Sequence, residues 1–282
     1  MELIFSAALC SVLVSILLKF SKSRGFDVMQ MIAWNYAIAT ILCFFWFKPD
    51  LNQISLTSTP WWLIGLLGIA LPSIFLLLSK SLDQAGIIRT EIAQRLSVVL
   101  SLLAAYFLFQ EKFSTLKLIG IALGLGAIVL IIFSKTSTQT LQTKKAGMYL
   151  LAVWLGYALV DVLLKYSTSL GLKFAVSLNL MFVFAFIISM GYLSLRQTSW
   201  TVQNFLAGLS LGVLNFANIA LYVKAHMLLK DSPAIVFAGM NILVVVLGVI
   251  AGILVFKEKI TLKNSLGILL AIIGVLCLAF AI

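Results

Sequence analysis

Charged side chains are scarce in this sequence: Asp, Glu, Lys and Arg make up 10% of its 282 residues, against about 25% in soluble domains. Together with an apolar share of 62%, that excludes a water-soluble globule and points to an integral membrane protein. Acidic groups are the rarest, nine against twenty Lys and Arg, and there is a single histidine. With one His, no cysteine pair and no acidic cluster, hydrolysis, phosphoryl transfer and metal chemistry have no constellation to work with. No enzyme and no cofactor are therefore expected. The three cysteines, Cys10, Cys43 and Cys277, each fall inside an apolar run without metal-ligand spacing. This excludes a disulfide framework or zinc site, and they read as small core residues. No glycine-rich phosphate loop is present, so ATP is not the expected energy source. The start Met1-Glu2-Leu3 lacks the basic stretch of a cleaved signal, so the first apolar run is expected to stay. The net charge of +11 is scattered through short connections, which fits contact with membrane lipids and not with nucleic acid.

Apolar stretches are what the chain has in abundance. A helix needs roughly 17–25 mostly apolar residues to span the hydrocarbon, and ten runs qualify: 2–21, 28–47, 60–80, 87–109, 115–134, 146–166, 174–195, 201–224, 233–256 and 262–282. The connections leave no room for a soluble domain. The stretch from Gln139 to Lys145, with its Thr, Gln and Lys, is the expected linker between two halves.

Those halves repeat. Leu159-Val-Asp-Val-Leu-Leu-Lys-Tyr-Ser167 copies Leu13-Val-Ser-Ile-Leu-Leu-Lys-Phe-Ser21 at six of nine positions, 146 residues later. Gly68 pairs with Gly212 and Lys80 with Lys224 at a spacing of 144; Phe109-Gln-Glu111-Lys112 pairs with Phe256-Lys-Glu258-Lys259, and Gly120 with Gly267, at 147. Five helices per copy is an odd number, so the second copy must enter the membrane from the opposite side. Such inverted repeats place a substrate site near the midplane, between the halves. The expected units are 1–138 and 146–282.

An apolar helix followed by Glu-Lys, then Ser or Thr, then a helix opening with Gly occurs twice, at Glu111 to Gly120 and at Glu258 to Gly267. This pattern resembles the EamA-like repeat of the drug/metabolite transporter superfamily, and the resemblance covers essentially the whole chain. It implies an all-α fold of ten transmembrane helices and secondary transport of small metabolites, often export. Many members carry Pro within the fourth helix; this chain has Glu91, Gln94 and Arg95 near its start instead. Small multidrug transporters, distant relatives, couple protons through a Glu embedded in the first helix, whereas here that helix has only Glu2 at its very start.

Ionisable residues within spans usually face a cavity. Glu91 and Arg95, four residues apart, can pair on one helix face; Gln94 adds to them, since its repeat partner is Asn241. Arg89 reads as an interfacial anchor. The sixth helix carries Trp154, Tyr157, Asp161 and Lys165 as one polar stripe, matched in the first by Ser11, Ser15 and Lys19. Both lysines sit near helix C-termini, where they can snorkel; they are also the available charge partners. Asp161 must find a partner, become protonated or line a wet cavity. It is the first candidate for proton coupling and Glu91 the second. Asn215, Asn218 and Tyr222 share one face of the eighth helix, with Trp34 and Asn35 in the second and Asn179 in the seventh as further wall residues. Each Asn can equally be interhelical glue. Gly120, Gly124, Gly248 and Gly252 give the small-xxx-small spacing of close packing, and Pro72 interrupts the third helix. Asp231-Ser232-Pro233 reads as a helix cap, and His226 as an interfacial residue beyond the eighth helix.

The expected partners are a small-molecule substrate and membrane lipids; monomer and homodimer stay open. The function expected first is a secondary transporter, exporting small polar or amphipathic metabolites such as amino acids. A lipid-linked carrier flippase would need a lateral opening lined by Lys or Arg, and a purely structural subunit would gain little from Asp161 and Arg95 in hydrocarbon. An even number of spans puts both ends on one side of the cell membrane. Seven Lys lie on that side and thirteen Lys or Arg on the other, which favours external ends, whereas the resemblance implies cytoplasmic ends and is preferred here.

Overall fold

The computed structural model describes residues 1–109, 113–134 and 140–281. Glu111 and Lys112 of the repeated motif and Gln139 of the expected linker lie outside them. Among the described residues all regular structure is helical: α1 Glu2–Ser23, α2 Val28–Phe47, α3 Trp61–Gln84, α4 Ile87–Arg95, α5 Ser97–Phe109, α6 Thr115–Ile132, α7 Thr140–Ser169, α8 Phe174–Leu195, α9 Val202–Leu228, α10 Pro233–Leu254 and α11 Leu262–Phe280, with one short 3-10 turn at Leu51–Gln53. Ten segments are long and apolar enough to cross a membrane, α4 and α5 together forming the fourth.

Local chemistry sets the helix starts. Asp27 caps α2 through the Met29 amide at 2.9 Å. Ser114 and Thr261, partners in the repeat, cap α6 and α11 in the same way, each at 3.3 Å. These caps satisfy amides that a helix start leaves orphaned. Pro233 opens α10 as expected, but Ser232 makes no side-chain cap bond. The chain from Thr140 to Lys145 is helical and belongs to α7, so the linker is shorter than expected. α3 runs unbroken through Pro72.

The fourth span is not one helix but two, broken at Leu96 with no proline or glycine there. In lipid every backbone polar group needs a partner inside the protein. The break meets that need with backbone and side chains together: the Val99 amide donates to the Leu96 carbonyl at 3.1 Å, Trp154 Nε1 to the same carbonyl at 2.9 Å, and Ser97 Oγ to the Gln94 carbonyl at 2.7 Å.

The packing follows the sequence repeat. α6 packs on α11 and α2 on α8, each against its own counterpart; α1 packs on α9 and α10 as α7 packs on α3 and on α4 and α5. The close crossings repeat as well. A Cβ on Gly120 would lie 2.8 Å from Leu278 Cγ, and one on Gly267 2.7 Å from Ile131 Cγ1. Leu278 and Ile131 are themselves 147 residues apart. Tyr36 meets Phe182, its partner at a spacing of 146, with ring centroids 6.0 Å apart.

Candidate functional site

A cavity of about 850 Å³ occupies the middle of the bundle and is walled by both repeats, within the size range of small-molecule sites. The break in the fourth span points Gln94, Arg95, Ser97 and Val98 into the wall. α7 contributes Tyr157 and Asp161, α9 Asn215, Asn218 and Tyr222, and α10 Asn241. Around these polar groups lie Phe75, Phe174, Phe182, Phe237, Met181 and Met240. The result is a largely apolar chamber with a few polar groups, which suits an amphipathic solute.

Two opposite charges share the wall without pairing. Arg95 donates from Nη2 to Ser11 Oγ on α1, and Asp161 Oδ2 accepts from Ser101 Oγ at 3.2 Å. No ion pair joins Arg95 to Asp161, although the charges are near enough to act on each other. The expected Glu91–Arg95 pair does not form either. Glu91 is 1% exposed, both its oxygens lack a hydrogen-bond partner, and Ser15 and Arg95 are its polar neighbours. Three lining residues, Tyr36, Arg95 and Asn218, each hold a buried polar atom with no partner in the protein. An unmet buried hydrogen bond costs about 1–3 kcal/mol, recovered only if the cavity's contents or another helix arrangement supply the partner.

Other expected wall residues stand apart from the cavity. Trp34 packs edge-on against Phe205 and Trp200, with centroids 4.7 and 6.1 Å away, in a shallow groove. Asn35 is fully buried behind the wall, where its Oδ1 accepts from Asn215 Nδ2 at 3.1 Å. Asn179 is glue between α8 and α2, donating to the Thr40 carbonyl at 3.1 Å. Lys19 serves neither carboxylate of the site; it bridges to Glu258. Lys165 is exposed, one turn beyond Asp161. Arg89 is buried and donates to the Ala85 and Ser134 carbonyls at 2.8 and 2.9 Å, so it is a structural tie and not an interfacial anchor. His226 falls within α9 and lines the cavity, its ring 4.7 Å from that of Tyr222.

Tyr36 and Ser101 were not singled out from the sequence. A signal for such residues exists in the repeat itself, at positions where one copy is polar and the other apolar. Tyr36 pairs with Phe182, Arg95 with Ile242, Asn215 with Leu71 and Tyr222 with Leu78. All four polar members line the cavity.

The cavity reaches the surface on the side of the chain ends, where Met227 and Lys230 line it and are exposed. Leu164, Phe174, His226 and Phe237 line that mouth. Their repeat partners at the opposite end, Leu18, Val28, Leu82 and Thr90, are all buried. There α1 packs on α3 and α4, and α2 on α3; among the described residues no comparable packing joins α7 to α9 or α10, or α8 to α9. The sequence repeats, but the two mouths differ: one is open and the other closed.

Residues 2–133 match the EamA-like transporter family. An uncharacterised protein of Haemophilus influenzae is 40% identical over 286 aligned residues, which cover 99% of this chain and 97% of the relative. A protein of known crystal structure aligns over 98% of this chain and 94% of its own, with a TM-score of 0.59 and 17% identity, a likeness of fold alone.

Proposed function

Because the chain belongs to the EamA-like transporter family of the drug/metabolite transporter superfamily, we propose that it is a secondary exporter of a small polar or amphipathic metabolite such as an amino acid. The observation that carries this reading is the pair Arg95 and Asp161, opposite charges on one cavity wall with no ion pair between them. A zwitterion would satisfy both, its carboxylate on the guanidinium and its ammonium on the carboxylate, while the Phe and Met side chains receive its apolar part.

The repeats 1–138 and 146–282 are the bodies that rock around the cavity, opening one mouth as the other closes. With the chain ends cytoplasmic, the present conformation opens inward, the loading state of an exporter. Protease or tag accessibility at either end in oriented vesicles checks the sidedness. The flippase reading is not favoured, because among the described residues that line the cavity the Lys and Arg side chains are Arg95, inside, and Lys230, at the mouth.

The test is flux in proteoliposomes without ATP across a panel of amino acids and related amphipathic metabolites. Saturable flux of a zwitterion, reduced in Arg95→Gln and in Asp161→Asn, supports the reading. Folded protein that moves nothing on the panel counts against it.

A further inference from the structure

The closed end of the bundle carries an ionic assembly that lies outside the cavity wall. Lys257, with φ +52, turns the chain out of α10, and the Glu258 amide bonds back to the Gly252 carbonyl at 2.8 Å. This sets the Glu258 carboxylate on the first turn of α4, where Oε1 accepts from the Ile87 amide at 2.7 Å and Oε2 from the Ile88 amide at 3.2 Å. Gly86, at φ +88, makes the seat: a Cβ there would lie 2.7 Å from the carboxylate oxygens. Lys19, at the end of α1, donates to Glu258 Oε1 and rests over the Phe256 ring, 4.3 Å from its centroid.

One carboxylate therefore ties α1 and α4, from the first repeat, to the α10–α11 connection of the second. An anion on helix amides is favoured by the helix dipole, and hydrogen bonds to it are charge-assisted. Both side chains keep 18% exposure, so water can replace each bond as it breaks. Arg89 nearby is 4% exposed and bonded to carbonyls on either side, and its charge lies close enough to act on Glu258 as well. The assembly also lies beside the closed mouth, since Lys19 follows Leu18, and Ile87 and Ile88 precede Thr90.

We propose that Glu258 is the releasable lock of the mouth opposite the chain ends. Its carboxylate, held by Lys19 and by the Ile87 and Ile88 amides, keeps that mouth shut and must let go for the cavity to open there. This rests on the transporter reading and adds to it the residue that times the switch.

The experiment uses the full chain in proteoliposomes with Cys10, Cys43 and Cys277 replaced. A single reporter cysteine is placed in the closed mouth, Leu18→Cys, or in the open one, Leu164→Cys. Labelling by a membrane-impermeant maleimide is measured with Glu258 intact and in Glu258→Gln. The expected result is a rise of about tenfold or more at position 18 with a fall at position 164, the shift that losing a hydrogen bond to a charged group produces. Unchanged labelling at both positions overturns the proposal. A rise at both also overturns it, because it reports loosening of the fold and not a switch. Should Glu258→Gln fail to fold, Lys19→Met, which leaves the carboxylate on the amides, is read by the same two reporters. Labelling needs no substrate, so a failed lock with intact flux leaves the transporter reading standing, and absent flux in the parent protein overturns that reading alone.

Discussion

Glu91 packs its side-chain carbons against Gly248 of α10: a Cβ on that glycine would lie 3.0 Å from Glu91 Cγ and 3.2 Å from Glu91 Cβ. One turn on, Gly252 makes the same room for Ile88. The α4–α10 crossing is therefore a fit of two α4 side chains into a glycine seam, and one of the two is a carboxylate whose oxygens have no hydrogen-bond partner.

That fit predicts coupling between the two positions. Gly248→Ala should destabilise by about 1–3 kcal/mol, the usual cost of overpacking. Adding Glu91→Ala should restore part of the loss, because it removes the carbons that the new methyl meets. Thermal unfolding of the four proteins in detergent gives the cycle. Additive losses would mean that the two residues do not share the space.

Proton coupling separates the carboxylates of Asp161 and Glu91. Asp161 touches the cavity and Glu91 lies behind it. Asp161→Asn should abolish accumulation driven by a pH gradient while substrate exchange persists at weaker affinity, since Asn keeps the shape of the neutral acid without its proton and without the charge that holds the ammonium. If gradient-driven transport survives both in Asp161→Asn and in Glu91→Gln, neither carboxylate carries the proton.

Arg95 should read the carboxylate of the substrate. Losing a hydrogen bond to a charged group costs about 1.5–3 kcal/mol, so Arg95→Gln should weaken zwitterion binding by roughly 10- to 150-fold. Binding of the matching carboxamide should change little. Thermal-shift titration of both ligands on both proteins makes the comparison, and equal losses for the two ligands would remove Arg95 from carboxylate recognition.

The break in the fourth span depends on Trp154. Trp154→Phe keeps the ring but removes the bond to the Leu96 carbonyl, which predicts a stability loss of about 0.5–1.5 kcal/mol. It also predicts greater protection loss at Ser97 and Val98 than elsewhere in hydrogen exchange. Uniform protection across α4 and α5 in that variant would show that the break holds by itself.

Hydropathy determined the ten spans and even the bounds 28–47 and 174–195, because lipid demands long self-bonded apolar helices and such a demand is written locally. Periodicity also grouped Tyr157 with Asp161 and Asn215 with Asn218 and Tyr222, since residues three and four apart share a helix face. It could not say what each face meets. Trp34 and Asn179 lie on faces that pack against neighbouring helices, and Asn35 supports Asn215 from behind. The break at Leu96 has no proline or glycine to mark it, and the side chain that bonds its carbonyl, Trp154, is 58 residues away. Lys19 and Glu258 are 239 residues apart. The difference between the two mouths belongs to tertiary structure: the repeats are related in sequence at both ends, and the way the helices pack in this conformation decides which end is shut.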